Sequence, residues 1–223
     1  MEMIQRISDI YRRMTHASMR AGREPDAARL IAVSKTVGAK AVYEAYDDGL
    51  REFGENRLQE AQKKTVELRG LDITWHMVGH LQSNKAKQAV DLFDLIHSVD
   101  SLKLLRLIDR HAADMGKVQR VLLQVKLSQE DSKAGAHEKE LEEILNEAGS
   151  MGHVRVEGLM TVPPFFDEPE RVRPYFRRLR ELAGSLGLRE LSMGMTGDFE
   201  VAIEEGATMV RIGTAIFGER DYA

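Results

Sequence analysis

The sequence predicts an α/β protein, a single (β/α)8 or TIM barrel of eight parallel strands with outer helices, preceded by one extra N-terminal helix. Three observations lead there. Eight short apolar runs bounded by turn residues alternate with charged, helix-favouring segments. The runs start 22, 22, 21, 26, 34, 35 and 19 residues apart, room each time for a crossover helix. The length of 223 residues is near the ~250 usual for such a barrel, leaving nothing over for a second domain.

Residues 2–21 space Ile4, Ile7, Tyr11 and Met14 three or four apart with charges between, the one-sided stripe of an amphipathic helix. After Gly22 and Pro25, Leu30-Ile31-Ala32-Val33-Ser34 reads as a strand, and Gly38 opens a helical stretch to Asp48. The same unit recurs from Glu52 (EFGEN), Thr74 (TWHMVG), Leu95 (LIHSVD), Val121 (VLLQVKL), Arg155 (RVEGLM), Glu190 (ELSMGMT) and Met209 (MVRIGTAIF). Crossovers of this length imply parallel pairing, and the count of eight favours a closed barrel over an open doubly wound sheet. Beyond the eighth strand Glu219–Ala223 offers a single turn where an outer helix would normally follow, so the N-terminal helix is expected to cover that gap.

Composition removes several function classes. With 43% hydrophobic and 30% charged residues the chain is not disordered as a whole. No cysteine is present, which excludes disulfides, thiolate metal sites and a cysteine nucleophile. The 32 Lys+Arg against 36 Asp+Glu, interspersed and summing to −4, argue against a dedicated nucleic-acid binder. Nowhere do 18 apolar residues run together, and Met1–Arg6 lacks the apolar core of a signal peptide, so a cytoplasmic protein is expected.

In a barrel of this kind the reacting groups project from the carboxyl ends of the strands. Lys35 closes the first apolar run, where desolvation would favour the neutral amine that forms a Schiff base with an aldehyde. Alone it reads more readily as a solvated lysine at a strand end. Leu191-Ser192-Met193-Gly194-Met195-Thr196-Gly197-Asp198 ends the seventh strand in small and hydroxyl residues, with Thr196 or Asp198 as helix N-cap, and Arg211-Ile212-Gly213-Thr214 does the same on the eighth. Loops after these two strands are the recurrent phosphate site of the fold. Gly194 or Gly213 taken singly is as readily a packing residue. A reactive lysine with a phosphate cradle suggests a phosphorylated aldehyde. His76 and His80 stand four apart, but Gly79 breaks any helix between them and no third ligand completes a metal site. The tracts Arg171–Arg180 and Glu138–Glu147 read as outer faces of amphipathic helices, and Met193 and Met195 as barrel packing.

Ala32-Val33-Ser34-Lys35-Thr36, Phe53-Gly54-Glu55-Asn56, Trp75 to Lys85, Gly158-Leu159-Met160-Thr161, Leu191 to Met195 and Val210 to Gly218 together resemble the pyridoxal phosphate homeostasis proteins, relatives of the alanine racemase N-terminal barrel. The resemblance covers nearly the whole chain in order. It departs at Thr196, where the family usually has Ser, and at Val162, where Met is common, and neither departure is expected to touch the main cofactor positions. It implies that Lys35 holds pyridoxal 5'-phosphate as a Schiff base and that Asn56 lies beside the pyridine ring. Ser192, Gly213 and Thr214 would receive the phosphate, with Met193 and Gly194 counted among the cofactor-binding residues. Arg211 would face the pyridine nitrogen, and His76 would line the pocket or be a structural histidine.

Racemisation needs an acid or base on each face of the substrate, whereas one evident base and an arginine against the ring nitrogen favour binding over turnover. The expectation is therefore a cytoplasmic protein, a monomer or weak dimer, that takes part in vitamin B6 homeostasis and passes the cofactor to other enzymes. An amino-acid racemase and a Schiff-base aldolase are the alternatives. Lys133, in the polar loop after the fifth strand, is a candidate for handling the aldehyde during loading or release, or else a solvated loop lysine.

Overall fold

Period-two alternation along each strand decides what faces the barrel axis and what faces the helices. In the computed structural model, which describes residues 2–128 and 134–218, eight strands close into one parallel barrel in chain order. They are β1 (Arg29–Val33), β2 (Glu52–Glu55), β3 (Thr74–Met77), β4 (Leu95–Val99), β5 (Gln119–Gln124), β6 (Val154–Met160), β7 (Glu190–Met195) and β8 (Met209–Ile212). Pairing of β1 with β8, Ile31 opposite Arg211, closes the ring. The predicted strand starts hold to within two residues. Lys133 lies outside the described residues.

The helices are α1 (Met3–Arg20), α2 (Ala39–Asp47), α3 (Leu58–Glu67), α4 (Ala86–Leu92), α5 (Leu102–Asp114), α6 (Leu141–Ala148), α7 (Arg173–Ser185), α8 (Phe199–Glu204) and α9 (Thr214–Phe217). The main core lies between strands and helices, with Leu30, Phe53, Trp75, Ile96 and Val210 against Val42, Ala61, Leu105 and Phe176. A separate cluster of Ile31, Leu95, Leu122, Met160 and Met209 fills part of the barrel interior. Each such side chain stabilises the fold by about 1.5–3 kcal/mol through removal from water.

Helix α1 packs on α8 and α9, as expected of the segment that covers the gap beside β8. Its buried face differs from the predicted stripe. Ile7, Ile10, Met14, Ala17 and Ser18 are buried, while Ile4 and Tyr11 are 49% and 44% exposed. The 7-10-14-17 row and the 4-7-11-14 row have the same 3-4-3 spacing, so periodicity alone does not choose between them; packing on α8 and α9 buries the first. Arg13 and Arg20 tie α1 to Glu200 and Glu204 of α8. Among the described residues no helix is long and apolar enough to cross a membrane. The basic tract in α7 is an outer face as predicted: Phe176, Leu179 and Ala183 point inward, while Arg173, Arg177 and Arg180 converge on Glu205.

Candidate functional site

A cavity of about 380 Å³ opens at the carboxyl ends of the strands. Lys35 and Asn56 follow β1 and β2, Arg211 rises from β8, and the loops after β7 and β8 bring Thr196, Gly197, Gly213 and Thr214 to the same space. Val33, Val78 and Val162 make its aliphatic wall. Lys35 and Arg211 are the two ionisable groups on this lining, and no carboxylate is among the lining residues. A cavity so lined suits an anion with an apolar ring.

Lys35 belongs here because Arg29, Ile31, Val33 and Lys35 share one parity along β1 and its extension, the parity that faces the axis. Asn56 is seated by a close approach. A Cβ on Gly79 would lie 2.4 Å from the Asn56 carbonyl oxygen, so only glycine lets the loop after β3 pack on that backbone.

Arg211 is buried, and desolvation lowers its pKa to about 10 despite the opposing pull of Asp198. It remains a cation at neutral pH. One amino group donates to Ser192 Oγ at 2.6 Å and the other to the Thr161 carbonyl at 2.9 Å. From there a polar column descends through the barrel: Ser192 Oγ is 2.8 Å from His97 Nδ1, and His97 Nε2 is 2.9 Å from His76 Nδ1. His76 Nε2 lies 3.2 Å from Glu52 Oε2, off the line of a hydrogen bond, and Arg29 bridges Glu52 and Glu190 at the far end. A carboxylate can only accept, so His76 carries its hydrogen on Nε2 towards Glu52 and accepts at Nδ1 from His97 Nε2–H, and His97 Nδ1 in turn accepts from the Ser192 hydroxyl, whose oxygen accepts from Arg211. Burial holds His97 well below the ordinary histidine range and His76 below it, which keeps both rings neutral as this pattern requires.

The chain matches the family model "Alanine racemase, N-terminal domain" over residues 8–221. It is 46% identical to the pyridoxal phosphate homeostasis protein of Aquifex aeolicus over 100% of both chains. The chain belongs to the pyridoxal phosphate homeostasis protein family. PipY of Synechococcus elongatus, solved with PLP bound, superposes with a TM-score of 0.85 at 40% identity, covering 97% of this chain and 100% of that one. An alanine racemase of Clostridium difficile, 14% identical with a TM-score of 0.69, shares the fold across 96% of this chain and 57% of its own.

Within this family framework the cavity gathers Lys35, Asn56, Arg211, Gly213 and Thr214 of the residues expected from sequence. Four others stand elsewhere. His76 and Ser192 are in the buried column, and Ser192 Oγ is engaged by Arg211 and His97 rather than facing the lining. Met193 has the opposite parity and packs in the core between strands and helices. Gly194 is a packing residue: its φ is +92°, and a Cβ would lie 2.5 Å from the Ala202 Cβ of α8. Asp198 does precede α8, but its carboxylate accepts the Met195 N–H at 2.6 Å and caps no helical amide. The two departures from the family pattern, Thr196 and Val162, both line the cavity beside those positions. Sequence reading missed His97, although Leu95 and His97 share a parity and Leu95 faces the interior. His80 is exposed and stands 3.5 Å from Asp100.

Proposed function

We propose that the chain binds pyridoxal 5'-phosphate covalently and reversibly through Lys35, limits the free aldehyde in the cytoplasm, and passes the cofactor to other enzymes without turnover of its own. The observation that carries this reading is one cavity lined by the Lys35 amine, the Arg211 guanidinium and the glycine and hydroxyl residues after β7 and β8. PLP supplies an aldehyde carbon for the lysine, a phosphate and a pyridine ring. Thr196, Gly197, Gly213 and Thr214 suit the phosphate: a Cβ on Gly197 would meet nothing within 4 Å, so its backbone is open to a ligand. Arg211 keeps N–H groups beyond the two already engaged for the ring nitrogen, and Asn56 flanks the ring.

The absence of turnover is supported by the lining. Racemisation asks for a second acid or base opposite the lysine, and among the described lining residues Arg211, charged at neutral pH, is the one further ionisable group. The test is spectroscopic. Protein incubated with pyridoxal 5'-phosphate should turn yellow, lose the band on borohydride reduction with the label fixed at Lys35, and give no band as Lys35→Ala. Incubation with L-amino acids in deuterated water decides turnover: sustained α-proton exchange at enzyme-like rates would overturn that part of the reading.

A further inference from the structure

Helix α3 carries Glu60 and Lys64, four residues apart and therefore on one face, and both reach back to the strand end that bears Lys35. Glu60 Oε2 accepts the Thr36 N–H at 2.8 Å, and Lys64 Nζ donates to the Ser34 carbonyl at 2.6 Å. The backbone immediately before and immediately after Lys35 is thus held by a charged side chain on each side. The turn needs holding. Thr36 has φ of +67°, the one positive φ among described non-glycine residues, and a β-branched residue is strained there. Such a conformation persists when its surroundings over-determine it.

Lys64 is itself fixed from below. Its side chain is 5% exposed and pairs at 2.5 Å with Glu55, a wholly buried carboxylate of β2 that also accepts the Ser34 hydroxyl. Glu55, Glu60 and Lys64 are absent from the cavity lining, so a ligand there does not touch them.

We infer that Glu60 and Lys64 are positioning residues for the Schiff-base lysine: they clamp residues 34–36 in the left-handed turn and so aim the Lys35 amine into the cavity. This rests on the proposed function above. In the covalent step Lys35 first loses a proton to solvent. Its nitrogen then adds to the aldehyde carbon, and the oxygen departs as water with the two remaining amine hydrogens, one C=N replacing one C=O. The clamp narrows the positions from which the amine makes that addition.

The test compares wild type, Glu60→Ala, Glu60→Gln and the double variant Thr36→Gly/Glu60→Ala. Stopped-flow absorbance on mixing with pyridoxal 5'-phosphate reports formation of the Schiff base, and calorimetry with pyridoxine 5'-phosphate, which has no aldehyde, reports the rest of the pocket. Loss of a hydrogen bond to a charged acceptor should slow Glu60→Ala about tenfold, with pyridoxine 5'-phosphate affinity unchanged. Gln retains an acceptor oxygen and should stay within about threefold of wild type. Glycine adopts positive φ without steric cost, so Thr36→Gly should restore much of the lost rate. In the ligand-free protein the Thr36 amide-to-Hα NMR coupling should leave its left-handed value in Glu60→Ala alone. Equal rates in Glu60→Ala and wild type would overturn the clamp, as would a parallel loss of pyridoxine 5'-phosphate affinity. A wild type that binds pyridoxine 5'-phosphate yet forms no band with the aldehyde would instead overturn the Schiff-base reading, and the clamp's purpose with it.

Discussion

Lys64→Met should be among the most destabilising single changes in the molecule, and its cost should depend on pH. Lys64 and Glu55 form a pair with side chains 5% and 0% exposed. Removing the ammonium leaves the Glu55 carboxylate with the Ser34 hydroxyl on one oxygen and no partner on the other, and leaves the Ser34 carbonyl with the Val37 N–H at 3.2 Å alone. Breaking a buried pair from one side costs about 3–5 kcal/mol, a large share of the roughly 5–15 kcal/mol that holds a domain. Glu55→Gln/Lys64→Met removes both charges and should recover most of that loss. Burial already holds the Glu55 carboxyl above its ordinary value against the opposing pull of Lys64 and Ser34, and loss of Lys64 raises it further. A carboxyl whose folded pKa exceeds its unfolded value of about 4.3 stabilises the fold below that value and loses the contribution as pH rises through the folded pKa. The Lys64→Met deficit should therefore be largest near pH 8 and shrink towards pH 5. Urea unfolding followed by circular dichroism at the two pH values, with unchanged slope, measures it. A deficit under about 1 kcal/mol, or one equal at both pH values, would refute the reasoning.

Gly194→Ala forces a side chain into positive φ and onto the Ala202 Cβ, and should cost about 2–3 kcal/mol in thermal or urea unfolding; an unchanged midpoint contradicts the packing role. His76 and His97 should keep neutral imidazole 15N shifts where an ordinary histidine has begun to protonate, with His97 protonated at Nε2. Because burial lowers both values, the stability they contribute is present above the unfolded value of about 6.5 and lost as pH falls through their folded pKa values, and His97→Gln should flatten that acid limb. Thr196→Val should weaken pyridoxine 5'-phosphate binding about tenfold in calorimetry without shifting the melting temperature, while Thr196→Ser should not; equal affinities would remove Thr196 from the phosphate site.

Strand starts were legible because each is an apolar run cut off by turn residues, and β1 to β8 needed no information beyond the run itself. Lys35, Gly213 and Thr214 were legible by position, since they lie just beyond a strand's carboxyl end, where this barrel opens its cavity, whereas Asn56 and the place of Arg211 in the pocket came from the family resemblance. Residues whose role lies in a partner far along the chain were not. Lys64 sits in Gln62-Lys63-Lys64-Thr65, which looks like a solvated helix face; its burial is signalled only by Leu58, Ala61 and Lys64 falling three apart on one side. Ser192 and Met193 were both counted among the cofactor-binding residues on the resemblance, yet neighbours on a strand face opposite ways, and one supports Arg211 while the other packs between strands and helices, as its reading as a packing residue had it.

The column beneath Arg211 bears on the proposed binding without turnover. A buried guanidinium without a close carboxylate is costly unless its surroundings are polarised towards it. Here the column runs in one sense, every hydrogen pointing away from Arg211 and towards Glu52, so the dipoles of Ser192, His97 and His76 each present their negative end to the cation. Reversing the sense would leave the Ser192 hydroxyl hydrogen without an acceptor in the column and turn an unprotonated His76 Nε2 towards the Glu52 carboxylate. Desolvation brings the Arg211 pKa to about 10, still far above neutrality, so the donor edge facing the cavity persists at physiological pH. On the proposed function, a pyridine nitrogen set against that edge can only accept. A ring held unprotonated withdraws electrons weakly, and the same residues that stabilise the guanidinium would therefore favour holding the cofactor over using it for α-proton chemistry.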